Sequence, residues 1–260
     1  MLIYNYHTHT SRCGHACGTD EEYVLAAIKA GYKILGFSDH APYKDYSLPN
    51  SRMDYQYLDD YIQSISALKE KYKDQIEIHL GLESEFYPEN IAERRELLNK
   101  VDYLLLGQHY ADMIGNCSYF RLNTDEEIRF YAQSVCMGLE SGLFAYLCHP
   151  DVFMNRQEAF TPVCEEVAHM IAQKCVETNA PVELNVRGVM KGRKHFPGGE
   201  KYYYPHYDFW KILSAYPLKV TVGIDAHDPA DLLDLKAIDD ALREVEDFHL
   251  NIITEPFIGK

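Results

Sequence analysis

The stretch LIYNYHTH, residues 2–9, is a short apolar, β-rich run that ends in two imidazoles, His7 and His9. The same arrangement recurs down the chain. Residues 34–38 run into Asp39-His40, 76–82 into Glu83, 101–107 into Gln108-His109, and 145–148 into His149-Pro150-Asp151. A run at 182–186 contains Glu183 and Asn185, and 219–224 leads into Asp225-Ala226-His227, with a weaker eighth run at 251–254. Helical periodicity fills the intervals at 20–30, 54–73, 91–99, 125–141, 162–178, 206–216 and 230–247. Thr19 with Glu22 and Thr124 with Glu127 fit capping boxes. Thr161-Pro162 reads as an N-cap followed by proline, and Gly31 and Gly142 stand where a left-handed residue closes a helix.

Strand–helix alternation repeated about seven times implies a parallel sheet, and closure into a barrel is its economical form. The expected fold is therefore α/β, a TIM-like barrel in one domain spanning the 260 residues. No linker or composition break divides the chain. The most loop-like stretch, 189–204, carries Lys191, Arg193, Lys194 and Lys201.

With 47% hydrophobic residues the chain can build a core, which excludes a disordered class. Its 25 basic against 40 acidic residues give −15, contrary to the basic footprint that a nucleic-acid partner requires. One arginine and metal ions could still hold a small phosphate ester. Neither a secretory leader nor a membrane span is legible, so a cytoplasmic location is expected. The seven scattered cysteines then read as reduced thiols, mostly buried.

The chemistry is concentrated at the strand ends. In an α/β barrel the strand C-termini converge on one face. Nine metal-capable side chains would meet there: His7, His9, His15, His40, Glu83, His109, His149, Asp225 and His227. Taken singly, each histidine reads as structural or surface. Seven imidazoles with two carboxylates, buried together, are costly without cations. Nine donors exceed the four to six of one ion, so two or three divalent ions sharing a carboxylate are expected. Glu85 competes with Glu83, because alternate strand residues share a face. His79, His169 and His249 read as core or surface, while His195 and His206, flanking the basic loop, stay open. Cys13 and Cys17 bracket His15 but lack the second cysteine pair of a zinc knuckle. Asp39 and Asp151 are candidates for orienting ligand imidazoles.

Taken in order, His-x-His, a later His, Asp-His, Gly-x-Glu, His, His-Pro and Asp-Ala-His resemble the polymerase-and-histidinol-phosphatase (PHP) family over residues 7 to about 228. The resemblance implies a distorted (β/α)7 barrel with a trinuclear centre of zinc, manganese or iron. It implies one ion on His7, His9, Glu83 and Asp225, a second on Glu83, His109 and His149, and a third on His15, His40 and His227. Gly81-Leu82-Glu83 matches the family's Gly-x-Glu and so favours Glu83 over Glu85. The opening His-Thr-His-Thr-x-x-Cys-x-His, residues 183–188 and Tyr204-Pro205 resemble the stand-alone histidinol-phosphate phosphatases of that family. The implied reaction is hydrolysis of L-histidinol phosphate, in histidine biosynthesis; another small ester, a nucleotide or sugar phosphate, is the alternative.

For such chemistry, water between two ions becomes a hydroxide nucleophile near neutral pH. By the resemblance Glu83 and Asp225 would hold the catalytic ions, and Arg187 and Arg156, with Arg12 behind them, are candidates for the phosphate oxygens. Glu85, Glu183 or Asp112 are candidates for a substrate ammonium. An amidohydrolase-like barrel would call for a carboxylated lysine at a strand end, and no strand ends in lysine.

Overall fold

The computed structural model describes residues 3–258; Leu2, in the first expected strand, lies outside the described residues. Along the chain come β1 (Tyr4–Asn5), α1 (Asp20–Ala30), β2 (Ile34–His40), α2 (Leu58–Lys71), β3 (Glu77–Ser84), α3 (Ile91–Leu98) and β4 (Tyr103–Leu106). Beyond these lie α4 (Asp125–Glu140), α5 (Pro162–Thr178), β5 (Val182–Asn185), α6 (Arg187–Met190), β6 (Lys194–Phe196), β7 (Gly199–Lys201), α7 (Tyr207–Leu213), β8 (Lys219–Gly223), α8 (Leu235–Glu244) and β9 (Asn251–Ile252).

β1 to β4 pair in sequence order, all parallel. Residues 145–148 continue the curl, with Leu147 bridging Leu106 on one side and Val182 on the other. β5 then pairs with β8. Past β8, Ala226 bridges Thr8, and the His9 amide donates to the Ala226 carbonyl at 2.8 Å. The seventh strand thus meets the first, and the barrel closes at its C-terminal end. At the other end, β9 lies on the start of β8, and the Tyr4 hydroxyl donates to the Ile253 carbonyl at 2.7 Å. That wedge distorts the barrel there.

Both capping boxes form, at Thr19/Glu22 and Thr124/Glu127. Gly31 and Gly142 take the left-handed conformation, while Thr161 starts α5 without a side-chain cap bond. The helix expected at 230–247 is divided. Asp228 caps a 3-10 turn, Pro229–Leu233, and Asp234 then caps α8 afresh. The 189–204 stretch is more ordered than its composition suggests. It contains part of α6 and a hairpin, β6–β7, turned by Gly198 and Gly199 at positive φ. None of the helices among the described residues is long and apolar enough to cross a membrane.

The main core fills the layer between barrel and helices. A second, smaller cluster joins Tyr4, Tyr6, Tyr103, Tyr146 and Ile258, with Phe257 packed against it. Phe257 lies 5.4 Å from Tyr6 and 6.0 Å from Tyr146, ring centre to ring centre. Besides Tyr4, two of the buried hydroxyls find partners there, as phenols in a core usually do. Tyr103 donates to the Tyr6 carbonyl at 2.7 Å, and Tyr146 reaches Glu183 at 3.4 Å. A tyrosine-rich floor, sealed by residues 257–258, thus underlies the cluster of histidines.

Removing the seal leaves a hole under the floor. Phe257→Ala should lower unfolding free energy by on the order of 2 kcal/mol, less than for a fully enclosed phenylalanine. Urea denaturation measures this, and an unchanged midpoint would show that the ring only rests on the floor.

Candidate metal centre

β3 delivers Glu83 to the middle of the barrel mouth, fully enclosed. Five imidazoles surround its carboxylate: His7 at 3.5 Å, His9 at 3.6 Å, His40 at 3.0 Å, His109 at 3.4 Å and His149 at 2.8 Å. Glu85 instead pairs with Arg52 at 3.6 Å and accepts from Tyr43 at 2.9 Å, and it sits 3.6 Å from His109 Nδ1. The neighbouring strand makes room for Glu83: a Cβ on Gly107 would come within 1.9 Å of Glu83 Oε1. Gly223 stands in the same relation to Glu183, at 1.8 Å. Neither carboxylate could hold its place beside an alanine.

Donor atoms fall into three groups. His7 Nε2 and His9 Nε2 lie 3.6 and 3.1 Å from Asp225 Oδ1 and close to the two Glu83 oxygens. Glu83 Oε1, His109 Nε2 and His149 Nε2 form a triangle with sides of 3.4, 2.8 and 3.2 Å. His15, His40 and His227 gather a third set at the rim, with His15 Nε2 and His227 Nε2 3.1 Å apart. Two nitrogens on one tetrahedral zinc, each about 2.05 Å from the ion, are separated by about 3.3 Å.

Hydrogen bonds fix which nitrogen faces inward. His7 Nδ1 is 2.8 Å from Glu183, which can only accept, so its proton sits there. His15 Nδ1 and His227 Nδ1 face the carbonyls of Cys13 and Asp225 at 3.2 and 2.9 Å. Their Nε2 lone pairs therefore point at one another across 3.1 Å, an arrangement that requires a proton or a cation between them. His7 Nε2, His9 Nε2 and Glu83 Oε2 are buried without a hydrogen-bond partner. These orphaned donors fit divalent ions.

Burial opposes charge throughout, and neighbours decide the outcome. Burial pushes Glu83 up, but His109, His7 and His40 together hold it well below the usual carboxylate range. Asp225 is likewise raised by burial and depressed further by His7, His9 and His227. Burial lowers His109, yet Glu83 and Glu85 carry it up to about 10. His40 is drawn down to about 3 by burial and by His9. Such opposed demands in one small volume are what metal ions would relieve.

Around the donors stands a supporting layer. Glu183 accepts from the His149 amide at 3.0 Å and from Asn185 at 2.9 Å, besides orienting His7. Asp39 accepts from Thr10 and lies 3.5 Å from His9 Nδ1. Asp151 behaves differently: it turns from the ligands and accepts from the His206 amide at 2.7 Å. The ammonium candidates already have partners. Glu85 and Glu183 are buried and already bonded, and Asp112 caps the Asn116 amide at 3.0 Å. Cys13 and Cys17 do not meet around His15; Cys13 bonds the Thr10 carbonyl and Cys17 bonds Asp228.

The donors open into a cavity of ≈ 250 Å³. Arg187 lines it, bonded to Asp231 at 3.3 Å and to the Asp225 carbonyl at 3.4 Å. Arg156 is carried by the 3-10 turn Val152–Arg156 to an adjoining groove, which shares Tyr110 and Phe120 with the cavity. Arg12 is used elsewhere, bonding Asp20 and Asp60, each at 2.9 Å. Lys191 and Tyr204 line the cavity too; in the sequence they carry only weak signals, the cluster of cations at 191–201 for the one and the Tyr204-Pro205 pair for the other. Cys148, near His7 and Glu83, had no signal of its own either.

The PHP domain description matches residues 5–186. A protein of Deinococcus radiodurans named probable histidinol-phosphatase is 28% identical over 93% of this chain and 92% of its own length. The histidinol-phosphatase of Bacillus subtilis is 31% identical over 52% of this chain and 53% of its own. In fold, the chain is similar to a Lactococcus lactis histidinol phosphate phosphatase crystallised with zinc, L-histidinol and phosphate. That likeness has a TM-score of 0.75 at 18% identity, covering 97% of this chain and 95% of the other.

The Glu183–His7 bond provides a direct test of the supporting layer. Glu183→Gln would weaken the grip on the His7 tautomer and lower metal affinity by about 10–100-fold. Competition with a chromogenic chelator reads this; unchanged affinity would reduce Glu183 to a packing role.

Proposed function

This chain belongs to the PHP domain family, and on that premise we propose that it is a metal-dependent phosphomonoesterase hydrolysing L-histidinol phosphate to L-histidinol and phosphate. The observation that carries the reading is the convergence of three donor sets on Glu83 at the floor of an open cavity with an arginine on its wall. The names of relatives along nearly the whole chain supply the substrate.

His7, His9, Glu83 and Asp225 would hold one ion, Glu83, His109 and His149 a second, and His15, His40 and His227 a third. Zinc suits the imidazole-rich sets, and manganese or iron suits the carboxylate-bearing ones. When bound, such ions withdraw charge from phosphoryl oxygens and make water acidic enough to attack near neutral pH. The chain's own groups do the rest. Arg187, anchored by Asp231, presents its guanidinium to the non-bridging oxygens of the ester. Arg156, exposed and without an acidic partner among the described residues, stands one groove away as a secondary contact. The enclosing walls, Tyr110 and Phe120 among them, limit the water around the reacting phosphorus.

Phosphate release from histidinol phosphate, with manganese or zinc added, should be fast in the native protein and absent in His9→Ala. Release from a nucleotide or sugar phosphate at least tenfold faster would transfer the activity to that ester. Arg187→Ala should cut kcat/KM by about 10–100-fold, the worth of hydrogen bonds to a charged group. Arg156→Ala should cost less, and the reverse order would place the phosphate in the Arg156 groove.

A further inference from the structure

We propose that Lys191 is the general acid that protonates the departing ester oxygen, a step that rests on the phosphatase reading. The residue lies outside the metal-donor sets and is positioned by the fold for this work. β5 ends at Asn185 and runs straight into α6, a single turn of helix. Arg187 opens that turn, and Lys191 is its C-cap, four residues on. Side chains spaced i, i+4 share one helix face, about 5–6 Å apart at Cβ. One turn therefore offers the cavity a guanidinium for the phosphoryl group and, beside it, an ammonium for the ester oxygen.

Aromatic contacts hold the ammonium. Lys191 Nζ donates to the Tyr204 hydroxyl and lies 4.9 Å from the centre of the Tyr204 ring and 5.7 Å from that of Phe120. Phe120 in turn stacks on the metal-donor ring of His109, nearly parallel at 5.6 Å. The Lys191 ammonium has no carboxylate partner among the described residues, and Tyr204 occupies only one of its three N–H groups. Three other protic side chains of the cavity already have partners. Ser51 and Tyr110 bond each other at 2.8 Å. Arg187 is tied to Asp231, and a guanidinium does not surrender its proton. Burial draws the Lys191 ammonium below the ordinary lysine range; Asp225 opposes this and Arg187 reinforces it. That change makes the group a better proton donor near neutral pH.

In the step itself, the oxygen of water forms the new bond to phosphorus and the phosphorus–ester oxygen bond breaks. The released electron pair stays on the ester oxygen, which takes a proton from Lys191 Nζ. The proton lost by the attacking water returns to the neutral amine through solvent. Ester and water are converted to alcohol and phosphate with nothing left over.

Leaving-group dependence tests this role. An alkyl ester needs its oxygen protonated, whereas p-nitrophenolate departs without help. With all metal sites loaded, Lys191→Met should lose about 10²-fold or more in kcat on histidinol phosphate and on phenyl phosphate, but only a few-fold on p-nitrophenyl phosphate. The last activity also shows that the variant is folded. Lys191→Arg, which keeps the charge but not a transferable proton, should fail to rescue the poor leaving groups. Tyr204→Phe, which leaves the ammonium but frees it, should show the same dependence at smaller amplitude. Equal losses on all three esters, no loss, or rescue by arginine would each overturn the proposal. If the native protein ignores histidinol phosphate yet hydrolyses the aryl esters, the substrate reading fails while phenyl against p-nitrophenyl phosphate still judges Lys191.

Discussion

One carboxylate, Glu83, sets the terms for the rest of the molecule. An anion with almost no solvent exposure and five imidazoles around it is tolerable only if cations, or protons, balance it. Its neighbours satisfy that demand in layers. Among the donor imidazoles, His7, His15 and His227 present inward nitrogens because Glu183 and the carbonyls of Cys13 and Asp225 bind their outward ones. Glu85 is a layer further out, held to about 2 against burial by Arg52 and His109, and so stays an anion facing His109. Gly107 yields the space. A polar network of this depth is stable only when every member is placed, so packing and charge cannot be separated here.

Much of this was legible in the chain itself. Side chains at the ends of parallel strands must meet, so alternation of strand and helix sufficed to bring residues as distant as His7 and His227 together. The rest was hidden for definable reasons. Period-2 geometry places Glu83 and Glu85 on one face, and only the tertiary contacts of Arg52 and Tyr43 give them separate tasks. Arg156 comes after a ligand motif just as Arg187 comes after β5. A 3-10 turn takes the one out of the cavity while α6 keeps the other in it. Lys191 looked like one cation of a basic loop because four residues of helix carry too little periodicity to be seen. Four of the chain's 21 tyrosines find a physical reason in the barrel floor, where a phenol both fills space and bonds backbone carbonyls.

The chain is strongly acidic, yet its cavity wall is cationic at one turn of helix. Overall negative charge would slow the arrival of a phosphate dianion from afar, and screening beyond about 8–10 Å makes that penalty modest at cellular salt. Recognition of such an ester would consequently be local. A few oriented donors at α6 would count for more than the charge of the whole.

The bridge between Thr8 and Ala226 has a kinetic side as well. It joins segments over two hundred positions apart along the chain, and three of the four members of the first donor set stand on them: His7 and His9 on one, Asp225 on the other. Loop-closure entropy for such a contact must be met before the contact gives anything back, which makes folding slow in topologies of this kind. Ions recruited by both segments at once would act on the opposite process. They would hold the seam shut from inside, so that metal loading would govern how long the barrel lasts as well as what it can do.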